Sequence, residues 1–177
     1  MATCTTCSSE IAPGIRWCTI CHTNIVDPAI GRLSSPGRRF GAYVLDIVVP
    51  FVAFLMMGII AGLGGATGTD AGGGGGAFLG LALFLAYVVW ALVLFARGTT
   101  PGKHLLGMRV VKEDGRHAGF LTMLFREWIG KWISGVVFGL GFLWILFDRD
   151  NQGWHDKIAS TYVVEPATAA RAAPVAV

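Results

Sequence analysis

Charge is scarce in this sequence. Lys, Arg, Asp and Glu make up 14% of its 177 residues while 54% are apolar, against a charged share of about 25% in soluble domains. An ordinary water-soluble fold is therefore excluded, and a bilayer is the expected solvent. Lys and Arg are absent between Arg39 and Arg97, and cysteine is absent beyond Cys21. The N-terminus lacks the apolar core and positive flank of a signal peptide, so its first 30 residues are expected to be retained. A phosphate-binding loop is lacking too. In "GTTPGKHLLGMRVV", Gly98–Val111, the spacing before Gly-Lys is one residue short, His104 stands where Ser or Thr should reach a magnesium ion, and Pro101 removes a backbone donor. Neither a nucleotide nor a nucleic acid is expected as a partner.

What is present are two long apolar runs. Residues 43–63 and 77–96 are each about 20 residues long, enough at 1.5 Å per residue to cross a hydrocarbon core of about 30 Å. A third apolar region, 120–147, is interrupted by Arg126, Glu127 and Lys131. It either crosses once or re-enters the face it left. Positive residues flank the first run on its N-terminal side and return after the second at Arg97, Lys103, Arg109, Lys112 and Arg116, whereas "GGATGTDAGGGGG" between the runs carries only Asp70. The positive-inside rule places the N-terminus in the cytoplasm and the glycine-rich stretch, read as a flexible tether, outside.

All four cysteines fall in two C-x-x-C knuckles, Cys4/Cys7 and Cys18/Cys21. Four thiolates in two such pairs close a tetrahedron around Zn2+ with no position left for water, which points to a structural site. A reducing cytosol agrees with metal rather than disulfides. His22 is surplus and reads as a surface histidine. The segment resembles the zinc ribbons that begin many bacterial membrane proteins, in which glycine usually follows the second cysteine of a knuckle; Ser8 and His22 stand there. So short a segment is expected to fold only with metal.

The order of "RFGAYVLD" (Arg39–Asp46), "GTTPGKHLLGMRVV", "FLTMLFREWIG" around Arg126 and "GWHDKIASTYVV" resembles the RDD family of bacterial membrane proteins. The resemblance implies that the family's arginine and two aspartates fall on Arg39, Asp46 and Asp156. It also implies a cytoplasmic (inner) membrane location, and a general description as transport-related without a defined activity.

Arg39 and Asp46 lie on one helix face, two turns and roughly 10 Å apart, too far to pair directly. Asp46 therefore needs a partner, since an unpaired carboxylate in a span costs several kcal/mol. Arg126, Lys131, Lys103 or a second subunit are the candidates. Asp46 is then either half of a buried packing pair or a proton- or cation-binding group on a transport path. His155 and Asp156 are adjacent and cannot form a relay by themselves, so a surface hydrogen bond or helix cap is expected, and no enzyme. Gly58/Gly62 and Gly135/Gly139 have the spacing that lets helices approach closely in lipid. Pro50 removes the donor for a carbonyl one turn back, at Asp46.

The expected architecture is an all-α polytopic membrane protein with two clear transmembrane helices and a third helical region. A small N-terminal zinc ribbon (1–27), a linker (28–37) ending in an arginine anchor, an RDD-like domain (38–164) with two short cytoplasmic strands, and a disordered tail (165–177) complete it. Two functions fit: an oligomeric small transporter or cation/proton exchanger, or an accessory, scaffold or assembly subunit that docks other membrane proteins through its ribbon.

Overall fold

The computed structural model describes residues 2–66, 70–136 and 139–167. The chain opens with strands β1 (Ala2–Thr3) and β2 (Glu10–Ile11), a 3-10 turn at Pro28–Ile30 and strand β3 (Arg32–Leu33). Helices α1 (Pro36–Ala66) and α2 (Asp70–Ala96) follow, then the short helix α3 (Pro101–Leu105) and strand β4 (Arg109–Lys112). The third apolar region is broken into α4 (Phe120–Leu124), a π-helical stretch at Phe125–Gly130, α5 (Lys131–Val136), α6 (Leu140–Leu143) and a 3-10 turn at Trp144–Leu146. Helix α7 (Trp154–Ile158) and strand β5 (Thr161–Glu165) close the fold.

Helices α1 and α2 are long and apolar enough to cross a membrane, over Pro36–Ile60 and Phe78–Ala96. Their outward side chains, Phe51, Phe54 and Phe78 among them, are exposed. That arrangement suits a lipid solvent, because lipid tails are as apolar as the side chains they meet. Gly72–Gly76 lies within α2, so the stretch read as a loop is backbone of a helix.

A three-stranded antiparallel sheet in the order β3-β5-β4 joins the ends of the chain. Val110 and Val163 face one side, packing with Ala42, Met108, Ala118 and Met123. Val111, Tyr162 and Val164 face the other, packing with Trp17 and Leu33. Successive residues of a strand point to opposite faces, so a strand covered on both sides reads as the continuous run "TYVV". The sheet is thus a middle layer between the N-terminal module and the spanning helices.

Two expectations change here. The segment 28–37 is no flexible linker: it holds β3 and its Arg32 pairs with Glu165 at 2.7 Å, while Arg38, just beyond it, pairs with the same carboxylate at 3.2 Å. Glu165 is buried at the end of β5, so order extends at least to that residue; 168–177, the rest of the expected tail, lie outside the described residues.

The strand pairing bears on the third apolar region. β4 precedes it, β5 follows it, and the two are paired from Arg109↔Val164 to Lys112↔Thr161. A segment held at both ends by one sheet begins and ends beside that sheet. Its two limbs, Phe120–Val136 and Leu140–Leu146, are bent by 107°. Cysteines introduced at Asp114 and at Arg149, in chains whose native cysteines are replaced by serine, should accordingly share one reactivity toward a membrane-impermeant thiol reagent in intact cells. Labelling of one position and protection of the other would mean a single full crossing.

Candidate functional site

The polar residues of the membrane domain converge where α1, α3, the π-helical stretch and α7 meet under the sheet. Asp156, in the first turn of α7, has no solvent exposure. One carboxylate oxygen accepts from Arg39 at 2.9 Å, and the other from Arg126 Nε and Nη2 at 2.7 and 2.6 Å. The Gly153 N–H adds a longer bond at 3.3 Å, tying the start of α7 to its own carboxylate. Arg39 also donates to the Val163 carbonyl of β5 at 3.1 Å, which attaches the first span to the central strand. Burial works against the charge on Asp156, but Arg126, then His155 and Arg39, outweigh it and hold the carboxyl well below the usual range.

Beside this core lies a second carboxylate, Glu127. It receives Arg126 Nη1 at 2.5 Å, Lys103 Nζ at 3.0 Å, and Lys131 one turn on. The helix widens to its π-helical form at these residues, a departure that often marks functional positions. Lys103 is buried; desolvation pulls its ammonium down to about 8 although Glu127 pulls the other way.

Asp46 joins neither cluster. Its oxygens accept from the Thr100 hydroxyl at 2.6 Å and the Gly102 N–H at 2.7 Å. Both donors belong to the N-terminus of α3, where Thr100 is the N-cap and Pro101 opens the first turn. Backbone N–H groups there have no helical acceptor, so an intramembrane carboxylate can serve as one. Only glycine fits at 102: a Cβ would lie 2.2 Å from the Ala42 carbonyl oxygen and 3.0 Å from Asp46. "TTPGK" is therefore a docking turn that seats a short helix against the first span.

His155 and Asp156 are both buried rather than at the surface. The His155 backbone N–H donates to the Ser134 hydroxyl at 3.2 Å, and its ring packs on Phe142 at 5.2 Å. Burial lowers its pKa to about 4, only partly opposed by Asp156.

The glycines sort differently from their spacing. Around Gly58, Gly62, Gly135 and Gly139 an added Cβ would meet nothing within 4 Å among the described residues, and Gly139 instead takes φ +74 between α5 and α6. Close approach occurs at Gly80, against Met57 at 2.8 Å, and at Gly102, Gly130 and Gly141.

In the N-terminal module, the sulfur atoms of Cys4, Cys7, Cys18 and Cys21 all lie within 4.8 Å of one another, and this group could hold a metal ion. Cys4–Cys21 and Cys7–Cys18 are each 3.6 Å apart. Ser8 and His22, the residues after each knuckle, both take φ 57, the left-handed conformation that glycine adopts most cheaply. Each closes its turn in the same way, N–H to the carbonyl of Cys4 or Cys18 at 2.9 and 3.0 Å. Burial opposes ionisation of Cys18, but the Ser9 hydroxyl and the backbone of Cys21 and Ile20 bring its thiol down to about 6. The Trp17 ring meets Tyr162 at 5.3 Å, and Thr23 bridges Arg32, so the module continues the sheet.

Glu127, Thr100 and Gly102 complete the site without having been singled out as site residues from the sequence, and Lys131, a candidate partner for Asp46, pairs with Glu127 instead. Charges at 126, 127 and 131 inside an apolar run, with Glu127 and Lys131 one helical turn apart, were the available signal.

Residues 33–160 match the RDD family. The uncharacterized protein YckC of Bacillus subtilis is 33% identical over 129 residues, which cover 71% of this chain and 80% of the relative. The uncharacterized protein RP437 of Rickettsia prowazekii is 27% identical over 104 residues, 50% of this chain and 58% of the relative. No solved structure matches the chain.

The buried His155 and Asp156 give stability a pH slope. The folded His155 pKa of about 4 lies below its ordinary 6.5, so its contribution is complete above that ordinary value and is lost as pH falls toward 4. Asp156 shifts in the same direction and acts at still lower pH. Between pH 7 and 5 the protein in detergent should lose about 1–2 kcal/mol, at 1.4 kcal/mol per pKa unit. His155→Gln should flatten that slope; an unchanged slope would assign it to other groups.

Proposed function

We propose the following for this chain, which belongs to the RDD family: it is a bacterial cytoplasmic-membrane protein that holds one zinc ion at Cys4, Cys7, Cys18 and Cys21. It presents the resulting platform on the cytoplasmic face as a docking surface for another membrane protein or a second copy of itself. The sulfur separations of 3.6 Å are close to the roughly 3.8 Å edge of a tetrahedron with Zn–S bonds of about 2.3 Å. Zinc agrees with two left-handed knuckle turns and with all four positions supplied by protein. The cytoplasmic placement rests on the distribution of Lys and Arg.

The observation that carries this reading is the shared sheet. The cysteine module covers one face of β3-β5-β4 while the helices cover the other. A partner held by the module is therefore coupled rigidly to the spans, as an adaptor requires. The buried charges fit the same reading, because they bind one another and the backbone. Such mutual satisfaction fixes how helices pack, and breaking it typically costs about 3–5 kcal/mol.

Protein purified from the membrane in mild detergent should contain one zinc per chain by elemental analysis. Cys18→Ser should lose the metal and any co-purifying stoichiometric partner together, while the helical domain stays inserted. Metal-free wild-type protein with an intact partner would count against the adaptor.

A second reading, a small oligomeric cation/proton exchanger, has Asp46 in its favour, since this carboxylate stands about two turns inside the apolar span and lines a groove there. Wild-type protein in vesicles should then exchange cations for protons, and Asp46→Asn should abolish the flux while remaining folded. Under the adaptor reading no such flux exists, and Asp46→Asn costs stability through the weakened contacts to Thr100 and Gly102.

A further inference from the structure

A groove of about 660 Å³ runs between the first turns of α1 and the second limb of the third apolar region. That size lies within the roughly 300–1,000 Å³ typical of small-molecule sites. Its walls are mainly apolar. Phe40, Tyr43, Phe142, Leu143 and Leu146 line it, and of these Phe40, Tyr43, Leu143 and Leu146 keep much of their surface exposed.

The polar part of the wall is cationic. Arg39, Lys103, Arg126 and Lys131 line the groove with a single carboxylate, Asp46. The Asp46 oxygens are already engaged by Thr100 and Gly102. Counting Asp156 and Glu127 behind the wall, four cations face three carboxylates. Arg39 is more than nine-tenths buried, yet its Nε–H has no hydrogen-bond partner among the described residues. Lys131 is the most exposed of the four, its ammonium 5.5 Å from the centre of the Tyr43 ring. Pro36 and Gly37, the first residues of α1, form part of the same wall, so the positive end of a long helix adds to the field. A buried excess of positive charge favours an anion and opposes a cation.

We propose that this groove binds an anionic phospholipid, its headgroup phosphate held by Lys131, Arg39 and the start of α1, and one acyl chain lying along Phe40, Phe142 and Leu143. The combination of an apolar trough with cations at one end matches such a molecule and no purely polar solute. Because α1 starts at the sheet, the headgroup end sits at the membrane surface, where phosphates are found. This site is independent of the zinc platform and would persist if no docking partner existed.

The test uses the full chain, delipidated in detergent, with added phosphatidylglycerol, phosphatidylcholine of the same chains, or inorganic phosphate, followed by native mass spectrometry and thermal unfolding. The expected result is one retained phosphatidylglycerol per chain and a rise in unfolding temperature that phosphatidylcholine and phosphate do not reproduce. Lys131→Gln should weaken retention about tenfold, whereas Arg97→Gln, with the same charge change away from the groove, should leave it unaltered. Leu143→Trp, which fills the trough without changing charge, should abolish the lipid-induced shift. Equal retention of both lipids, an equal shift with inorganic phosphate, or indifference to both Lys131→Gln and Leu143→Trp would each overturn the proposal.

Discussion

A single buried carboxylate organises the membrane domain. Asp156 is fully enclosed between two guanidinium groups, Arg39 on the first span and Arg126 on the π-helical stretch. Charges out of water are tolerated only when paired and hydrogen-bonded, so neither arginine nor the aspartate can be placed without the other two. Because Arg39 also binds the Val163 carbonyl, the same constraint ties α1 to the sheet. The end of the chain is thereby secured to its first membrane helix across 117 residues of sequence.

Around that centre the backbone is fitted closely. Asp46 caps α3 from a neighbouring helix, and Gly102 permits the contact by lacking a side chain. Lys103, next in sequence, turns to Glu127 and closes the second cluster. The motif that superficially resembles a phosphate loop thus gives a cap, a close approach and an ion pair in four consecutive residues. Each element is polar, and each is satisfied within the protein, as an apolar solvent demands.

The N-terminal module adds a layer on the other face of the sheet. Its two knuckles repeat one turn twice, with Ser8 and His22 in the left-handed region, and Trp17 inserts into the core formed with Tyr162 and Val164. A segment too small to bury a core of its own borrows one from the strands that follow the helices. This is why the segment between module and span is a strand rather than a tether.

The sequence by itself determined the class of solvent, the two spans, the paired cysteine knuckles and the RDD family, because length, apolarity and short-range spacing are local properties. It also singled out Asp46 and Arg126, since charge inside an apolar run calls for a partner wherever it occurs, while Arg39 and Asp156 came from the resemblance to the family. Which partner was beyond local pattern. Asp46 had Arg126, Lys131 and Lys103 as its evident candidates and took a hydroxyl and a backbone N–H instead, because helix α3 places its unpaired donors against that turn of α1. Spacing likewise nominated Gly58 and Gly62, while the crossing of α1 and α2 put the contact at Gly80. The glycine run 72–76 became helix, and Arg32 of the expected linker, with Arg38 just after it, found Glu165. Each of these outcomes depends on which surfaces meet in three dimensions, a property carried by residues far apart in the chain and settled only when the sheet draws both ends together.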